Sequence, residues 1–152
     1  MLRVWRIENS RMEEKIIKAA VLLLLFINSI SDWRRREVSL ISLGVFGAVG
    51  IGLNVWLGSR STFQIAGGAA LGVLLLLTAF FTKEAIGFGD GFLICTTGIY
   101  LGFLENLNLL FWGAVCSAVI LGAGFMTGRV KLKERVPFVP FLLLAYVGRM
   151  IF

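Results

Sequence analysis

The 152-residue chain contains no histidine and only two cysteines, and these absences exclude several kinds of active site. Without histidine there is no Ser-His-Asp or Cys-His catalysis, no histidine metal ligand and no histidine pH sensor. Cys95 and Cys116 lie inside apolar stretches and lack the CxxC spacing, so they predict neither a zinc site nor a disulfide scaffold. We therefore expect no metal and no cofactor.

Charged residues are also scarce, at 16% of the chain, whereas 58% of the residues are hydrophobic. A soluble domain has roughly 25% charged and 45–50% apolar residues, so this composition predicts a protein of the lipid bilayer. The net charge of +6 does not predict a nucleic-acid partner, because lysine and arginine collect in the cytoplasmic loops of membrane proteins.

Apolar runs divide the chain into segments that predict an all-α fold, a polytopic membrane bundle of about six transmembrane helices. A span needs roughly 20 residues at a rise of 1.5 Å per residue. The predicted spans are 16–31, 38–57, 63–82, 85–104, 107–127 and 137–152. The fourth is the weakest, because its uninterrupted apolar part is short and the full length includes Asp90. Residues 1–15 are predicted to form a separate interfacial amphipathic helix before a membrane domain over residues 16–152.

Basic residues predict the orientation of the bundle. With six spans, the loops on one side carry eight basic residues, whereas those on the other side carry only Arg60. The eight are Arg34, Arg35, Arg36, Lys83, Arg129, Lys131, Lys133 and Arg135. The positive-inside rule places their side in the cytoplasm, although the basic N-terminal segment favours the opposite orientation.

The chain contains only two aspartates, Asp32 and Asp90, and the order of the spans places both at the same cytoplasmic edge. Asp32 alone fits a solvated turn as well as a functional site. Asp90 is harder to explain by packing, because an unpaired aspartate inside a span costs about 2.5–3.5 kcal/mol. The neighbouring glycines at 87, 89 and 91 each weaken a helix by about 1 kcal/mol. We therefore interpret Asp90 as functional.

Two carboxylates and no histidine favour aspartic protease chemistry. When two carboxylates lie close together in a partly desolvated site, one stays protonated while the other is charged. The charged one takes a proton from a water that attacks a peptide carbonyl, and the protonated one supports the oxyanion and the leaving amine. Gly87, Gly89 and Gly91 are predicted to support this site, since without Cβ atoms their backbone is open to an extended substrate.

With the GxGD motif Gly87-Phe88-Gly89-Asp90, the chain resembles the aspartic prepilin peptidases, the type IV prepilin leader peptidases, which are GxGD-type membrane proteases. Asp32 followed by Arg34 and Val38 is similar to a second motif of that family. The segment 136–141, which holds both prolines of the chain, is similar to a late Pro-Phe-x-Pro-Phe motif.

The chain departs from the family pattern at three places. Val38-Ser39-Leu40 stands where many members have Ile-Pro-Asn, and Phe92 occupies the position of a frequent lysine. The cysteine-rich insert of the larger members is missing, so the resemblance is to a short form without N-methyltransferase activity.

The resemblance implies an endopeptidase that cleaves basic leader peptides from prepilin-like precursors, the type IV pilins and pseudopilins, at the cytoplasmic face of the membrane. It implies Asp32 and Asp90 as the catalytic pair. The candidate contacts for a basic leader are Glu37, Glu84 and Glu134. Two alternatives stay open: a small proton-coupled transporter in which Asp90 carries the proton, and a non-catalytic membrane assembly factor. A transporter would favour polar residues throughout the bilayer and an inverted repeat, and the sequence shows neither.

Overall fold

The computed structural model describes residues 2–35, 37–58, 60–82, 87–127 and 137–151, with side chains from residue 11 onward. The chain forms the helices α1 (Leu2–Arg35), α2 (Leu40–Leu57), α3 (Thr62–Phe81), α4 (Phe88–Met126) and α5 (Val139–Ile151). No strand occurs in the described ranges. The predicted all-α membrane bundle is confirmed.

The first helix is longer than the sequence suggested. The predicted interfacial segment and the predicted first span form one continuous helix, α1, of 34 residues. Its sequence contains neither glycine nor proline, so no residue in it strongly opposes helix continuation. Val21, Leu24 and Leu25 on its inner face are 0% exposed and belong to the core. The boundary at residue 15 is therefore not a break in the helix, and an interfacial position for residues 1–15 stays a prediction.

The fourth helix consists of two arms that meet at Gly102. This residue has φ 74° and ψ −177°, a conformation that essentially only glycine adopts. The second arm, 103–126, folds back along the first, 88–101. Asn106 donates a hydrogen bond to the carbonyl of Ile94 at 2.9 Å, although these residues would lie about 18 Å apart in a straight helix. The described ranges therefore contain six helical segments, and the predicted break between residues 104 and 107 is instead at Gly102.

Asn106 fastens this hairpin of helices to α3. Its side chain is 0% exposed, and its amide group also donates to the carbonyl of Gly68 in α3 at 3.0 Å. Its amide oxygen accepts a hydrogen bond from the hydroxyl of Thr97 at 2.7 Å. Because lipid offers no competing hydrogen-bond partners, these bonds join three helical segments at one point.

Glycines allow α3 and the first arm of α4 to pack with their backbones in contact. A side chain at Gly68 or Gly98 would run into the backbone of the facing helix, and one at Gly72 would run into Cys95. Such close packing of small residues is a main source of helix association in a bilayer. It fixes the first arm of α4, and thus Asp90 at its beginning, against α3.

By length and composition, α2, α3, α4 and the part of α1 from Arg11 onward can cross a membrane, and α5 is a shorter apolar helix. The 13 residues of α5 measure about 20 Å and the first arm of α4 about 21 Å, against roughly 30 Å for the hydrocarbon core. The end of α1 and the beginnings of α2, α4 and α5 lie at one end of the bundle. We call this the aspartate end, because Asp32 and Asp90 lie there.

Candidate active site

Asp32 lies in the last turns of α1 and is held by the beginning of α5. Its side chain is only 6% exposed, and its Oδ2 accepts a hydrogen bond from the backbone N–H of Val139 at 3.0 Å. The first N–H groups of a helix have no partner inside the helix and favour a negative charge. The solvated turn that the sequence left open for Asp32 therefore does not describe this residue.

Asp90 lies in the first turn of α4, where Gly87 is the N-cap residue. The backbone N–H of Asp90 donates to the carbonyl of Gly87 at 3.1 Å. A Cβ atom at Gly87 would lie 3.1 Å from Oδ2 of Asp90, so the carboxylate folds back over the helix start. Glycine at this position leaves room for the carboxylate, and the helix dipole favours a negative charge in the first turn.

The contact between Gly89 and Val38 brings the two aspartates together. A Cβ atom at Gly89 would lie 2.8 Å from the Cβ of Val38, closer than real Cβ atoms approach, so this contact requires glycine. Val38 belongs to the chain that leaves the Asp32 turn, and Gly89 directly precedes Asp90. As a result the two carboxylates lie within range of electrostatic interaction with each other. The GxGD turn thus packs against the segment that carries the other aspartate.

Gly91 has a different neighbour, because it is buried against α3. A Cβ atom there would lie 2.7 Å from the side chain of Leu76. Val38 and Leu76 therefore occupy the space that side chains at positions 89 and 91 would need. Gly87 is exposed, Gly89 is partly exposed and Gly91 is buried, so the backbone is most accessible at Gly87.

A polar pair one turn before Asp32, made of a buried asparagine and a partly buried serine, was missed by the sequence reasoning. Asn28 is 0% exposed, and its Oδ1 accepts a hydrogen bond from the hydroxyl of Ser42 at 2.9 Å. Its amide group donates to the carbonyl of Leu24, also at 2.9 Å. The pair ties α1 to the first turn of α2 beside the candidate site. The available signal was an asparagine inside an apolar span, where polar side chains usually have a partner on another helix.

Of the three glutamates predicted to contact a leader peptide, only Glu37 lies in the described part of the chain. It is exposed at the aspartate end, and its backbone carbonyl accepts a hydrogen bond from the hydroxyl of Ser31 at 3.0 Å. Glu84 and Glu134 lie outside the described residues. Within those residues, no three side chains of the types that bind metals lie together.

The fold and the site together define a multi-pass helical membrane protein with a pair of carboxylates at one end of the bundle. The family described as the type IV leader peptidase family has a model that matches residues 19–122. This match spans more than half of the chain and includes both aspartates and the GxGD motif. The chain therefore belongs to the type IV leader peptidase family, and the resemblance seen in the sequence is confirmed.

Membership of this family indicates a protease with activity of the prepilin leader peptidase type. The late proline segment at 136–141 lies outside the matched residues. Neither the curated proteins nor the solved structures contain a significant match to the chain.

Proposed function

We propose that this protein is an aspartic endopeptidase that removes leader peptides from prepilin-like precursors, with Asp32 and Asp90 as its catalytic pair. Family membership supplies the general activity. The observation that carries the assignment of the pair is the contact between Gly89 and Val38, which packs the GxGD turn against the chain leaving Asp32. No other aspartate exists in the sequence.

In the proposed reaction, a water molecule lies between the two carboxylates. The charged carboxylate accepts a proton from this water while the water oxygen attacks the carbonyl carbon of the peptide bond. The protonated carboxylate donates a hydrogen bond to the developing oxyanion. The C–N bond then breaks, the leaving nitrogen takes a proton, and the products are a carboxylic acid and an amine.

The position of the pair suits a substrate whose cleavage site lies at the edge of the membrane. Asp32 is buried, whereas Asp90 is only partly buried and the neighbouring Gly87 is exposed. Substrate and water would thus approach from the side of Asp90. Arg34 and Arg35 in the last turn of α1 are exposed at the same end, which supports a cytoplasmic orientation for the site.

The experiment is cleavage of a prepilin-like substrate with a basic leader by the purified protein in detergent. Asp32→Asn and Asp90→Asn should each lower kcat by about 10²–10⁴-fold, because each removes one partner of the proton transfer. Glu13→Gln is the matched control: it makes the same change from carboxylate to amide on α1, far from the aspartate end, and should retain wild-type kcat. Each variant is checked for folding by circular dichroism and thermal unfolding.

Two outcomes would overturn the proposal. Wild-type kcat in a folded Asp32→Asn or Asp90→Asn variant would exclude the pair as the catalytic groups. A folded wild-type protein that cleaves no prepilin-like substrate would favour the non-catalytic assembly factor instead.

A further inference from the structure

The beginning of α5 contacts the candidate site although it lies outside the residues that match the family. We infer that the backbone N–H of Val139 is a positioning group for Asp32, and that the proline segment around it serves to present this N–H. The inference rests on the proposed function of Asp32. It assigns a function to the late Pro-Phe-x-Pro segment, which the catalytic pair alone leaves unexplained.

The hydrogen bonds in the first turn of α5 show why Asp32 is needed there. The N–H groups of Phe141 and the residue after it donate to the carbonyl of Phe138 at 3.0 and 3.3 Å. Pro140 has no N–H to donate. The N–H of Val139 is left, and it donates to Oδ2 of Asp32 at 3.0 Å. The backbone N–H of Phe138 also interacts with this carboxylate. Because phenylalanine at position 138 cannot cap a helix with its side chain, Asp32 supplies the cap from another helix.

Burial makes this bond effective in orienting the carboxylate. Val139 is 0% exposed and Asp32 is 6% exposed, so little water competes for either partner. A bond between a backbone N–H and a charged carboxylate is shorter and stronger than one between neutral groups. The bond from Val139 holds Oδ2 in place, and the neighbouring N–H of Phe138 further limits how the carboxylate can turn. A catalytic carboxylate needs such orientation, since a displacement of about 1 Å can lower a rate by about 10²-fold.

A pair of substitutions at position 139 compares loss of the N–H with loss of side-chain volume. Val139→Pro removes the N–H and places the ring Cδ where its proton lies, against Oδ2 of Asp32, so it breaks the bond and displaces the carboxylate. Val139→Ala keeps the N–H and leaves a small cavity in a fully buried site.

We expect kcat for prepilin cleavage to fall about 10- to 100-fold in Val139→Pro, with KM within about twofold of wild type. In Val139→Ala, kcat should stay within about threefold of wild type despite the lower stability. Equal losses of kcat in the two variants, or losses that follow the unfolding temperature, would show that Val139 acts only through stability and would overturn the inference.

Hydrogen exchange tests the same bond without any activity and without Val139→Pro. Asp32→Ala removes the acceptor, whereas Asp32→Asn retains a side-chain oxygen at the same place. The amide of Val139 should therefore exchange about tenfold faster in Asp32→Ala than in Asp32→Asn. Equal exchange in the two variants would overturn the inference even if Asp32→Asn is inactive. An active Asp32→Asn would instead overturn the proposed function, whatever the exchange rates are.

Discussion

Replacement of Asn106 by leucine should lower the free energy of unfolding by about 2 kcal/mol, because it removes the hydrogen bonds that hold the two arms of α4 to α3. Asn106 is 0% exposed and makes three side-chain hydrogen bonds, with Gly68, Ile94 and Thr97, at distances of 2.7–3.0 Å. Leucine has a similar volume, so the substitution changes polarity far more than packing.

The magnitude follows from the three bonds. Side-chain hydrogen bonds between membrane helices contribute on average about 0.6 kcal/mol each, which gives about 2 kcal/mol for the set. The carbonyl of Gly68 lies inside α3 and keeps the N–H donor that the helix supplies, so it is not left without a partner and adds no separate penalty. Thr97 loses less, because its hydroxyl can donate instead to the carbonyl of Ile94, 3.2 Å away.

The assay is reversible unfolding of the protein in mixed micelles by added SDS, followed by circular dichroism. Asn108→Leu is the matched control, since Asn108 lies on the same arm but is exposed. This variant should stay within about 0.5 kcal/mol of wild type. If Asn106→Leu is as stable as Asn108→Leu, the buried network does not hold the arms, and the fold-back at Gly102 loses its main support.

Two further predictions concern glycines, and both use the same SDS titration. Gly98→Ala should abolish stable folding, because the new Cβ would run into the backbone of α3. Gly44→Ala, where a Cβ would have nothing within 4 Å, should be neutral or should stabilise the fold by up to about 1 kcal/mol. Similar effects of the two substitutions would contradict the close packing of α3 and α4. Gly102→Asn should cost about 1–3 kcal/mol or more, because asparagine does not adopt φ 74° with ψ −177°. Gly58→Asn should cost under about 1 kcal/mol, since φ 60° and ψ 22° form a left-handed helix cap that asparagine tolerates. A larger loss of stability in Gly58→Asn than in Gly102→Asn would refute the assignment of the bend.

The sequence was sufficient to predict the class of fold and the common position of the two aspartates. Apolar length is read directly from the residues, and the alternation of chain direction then places Asp32 and Asp90 at the same end of the bundle. The GxGD turn was visible for the same reason, because its residues are contiguous. Their catalytic function stays a proposal that the cleavage assay will decide.

Other features depend on contacts that no local pattern records. Gly102 is one of 18 glycines, and its bend is defined by the fold-back that Asn106 fastens rather than by its neighbours in sequence. The sequence predicted the break between residues 104 and 107 instead, at the polar residues that follow Gly102. The bond from Val139 to Asp32 joins residues 107 positions apart. A proline segment in the sequence predicts a helix start, but it does not indicate which acceptor that helix start will meet.

The first arm of α4 has a consequence for the surrounding lipid. It is about 10 Å shorter than a typical hydrocarbon core, and short helices thin the bilayer locally or draw headgroups inward. It begins at the aspartate end, at Asp90. Hydrophobic mismatch would therefore thin the leaflet next to the two carboxylates and give water access to them. In that case the thickness of the membrane becomes one of the reaction conditions of the enzyme.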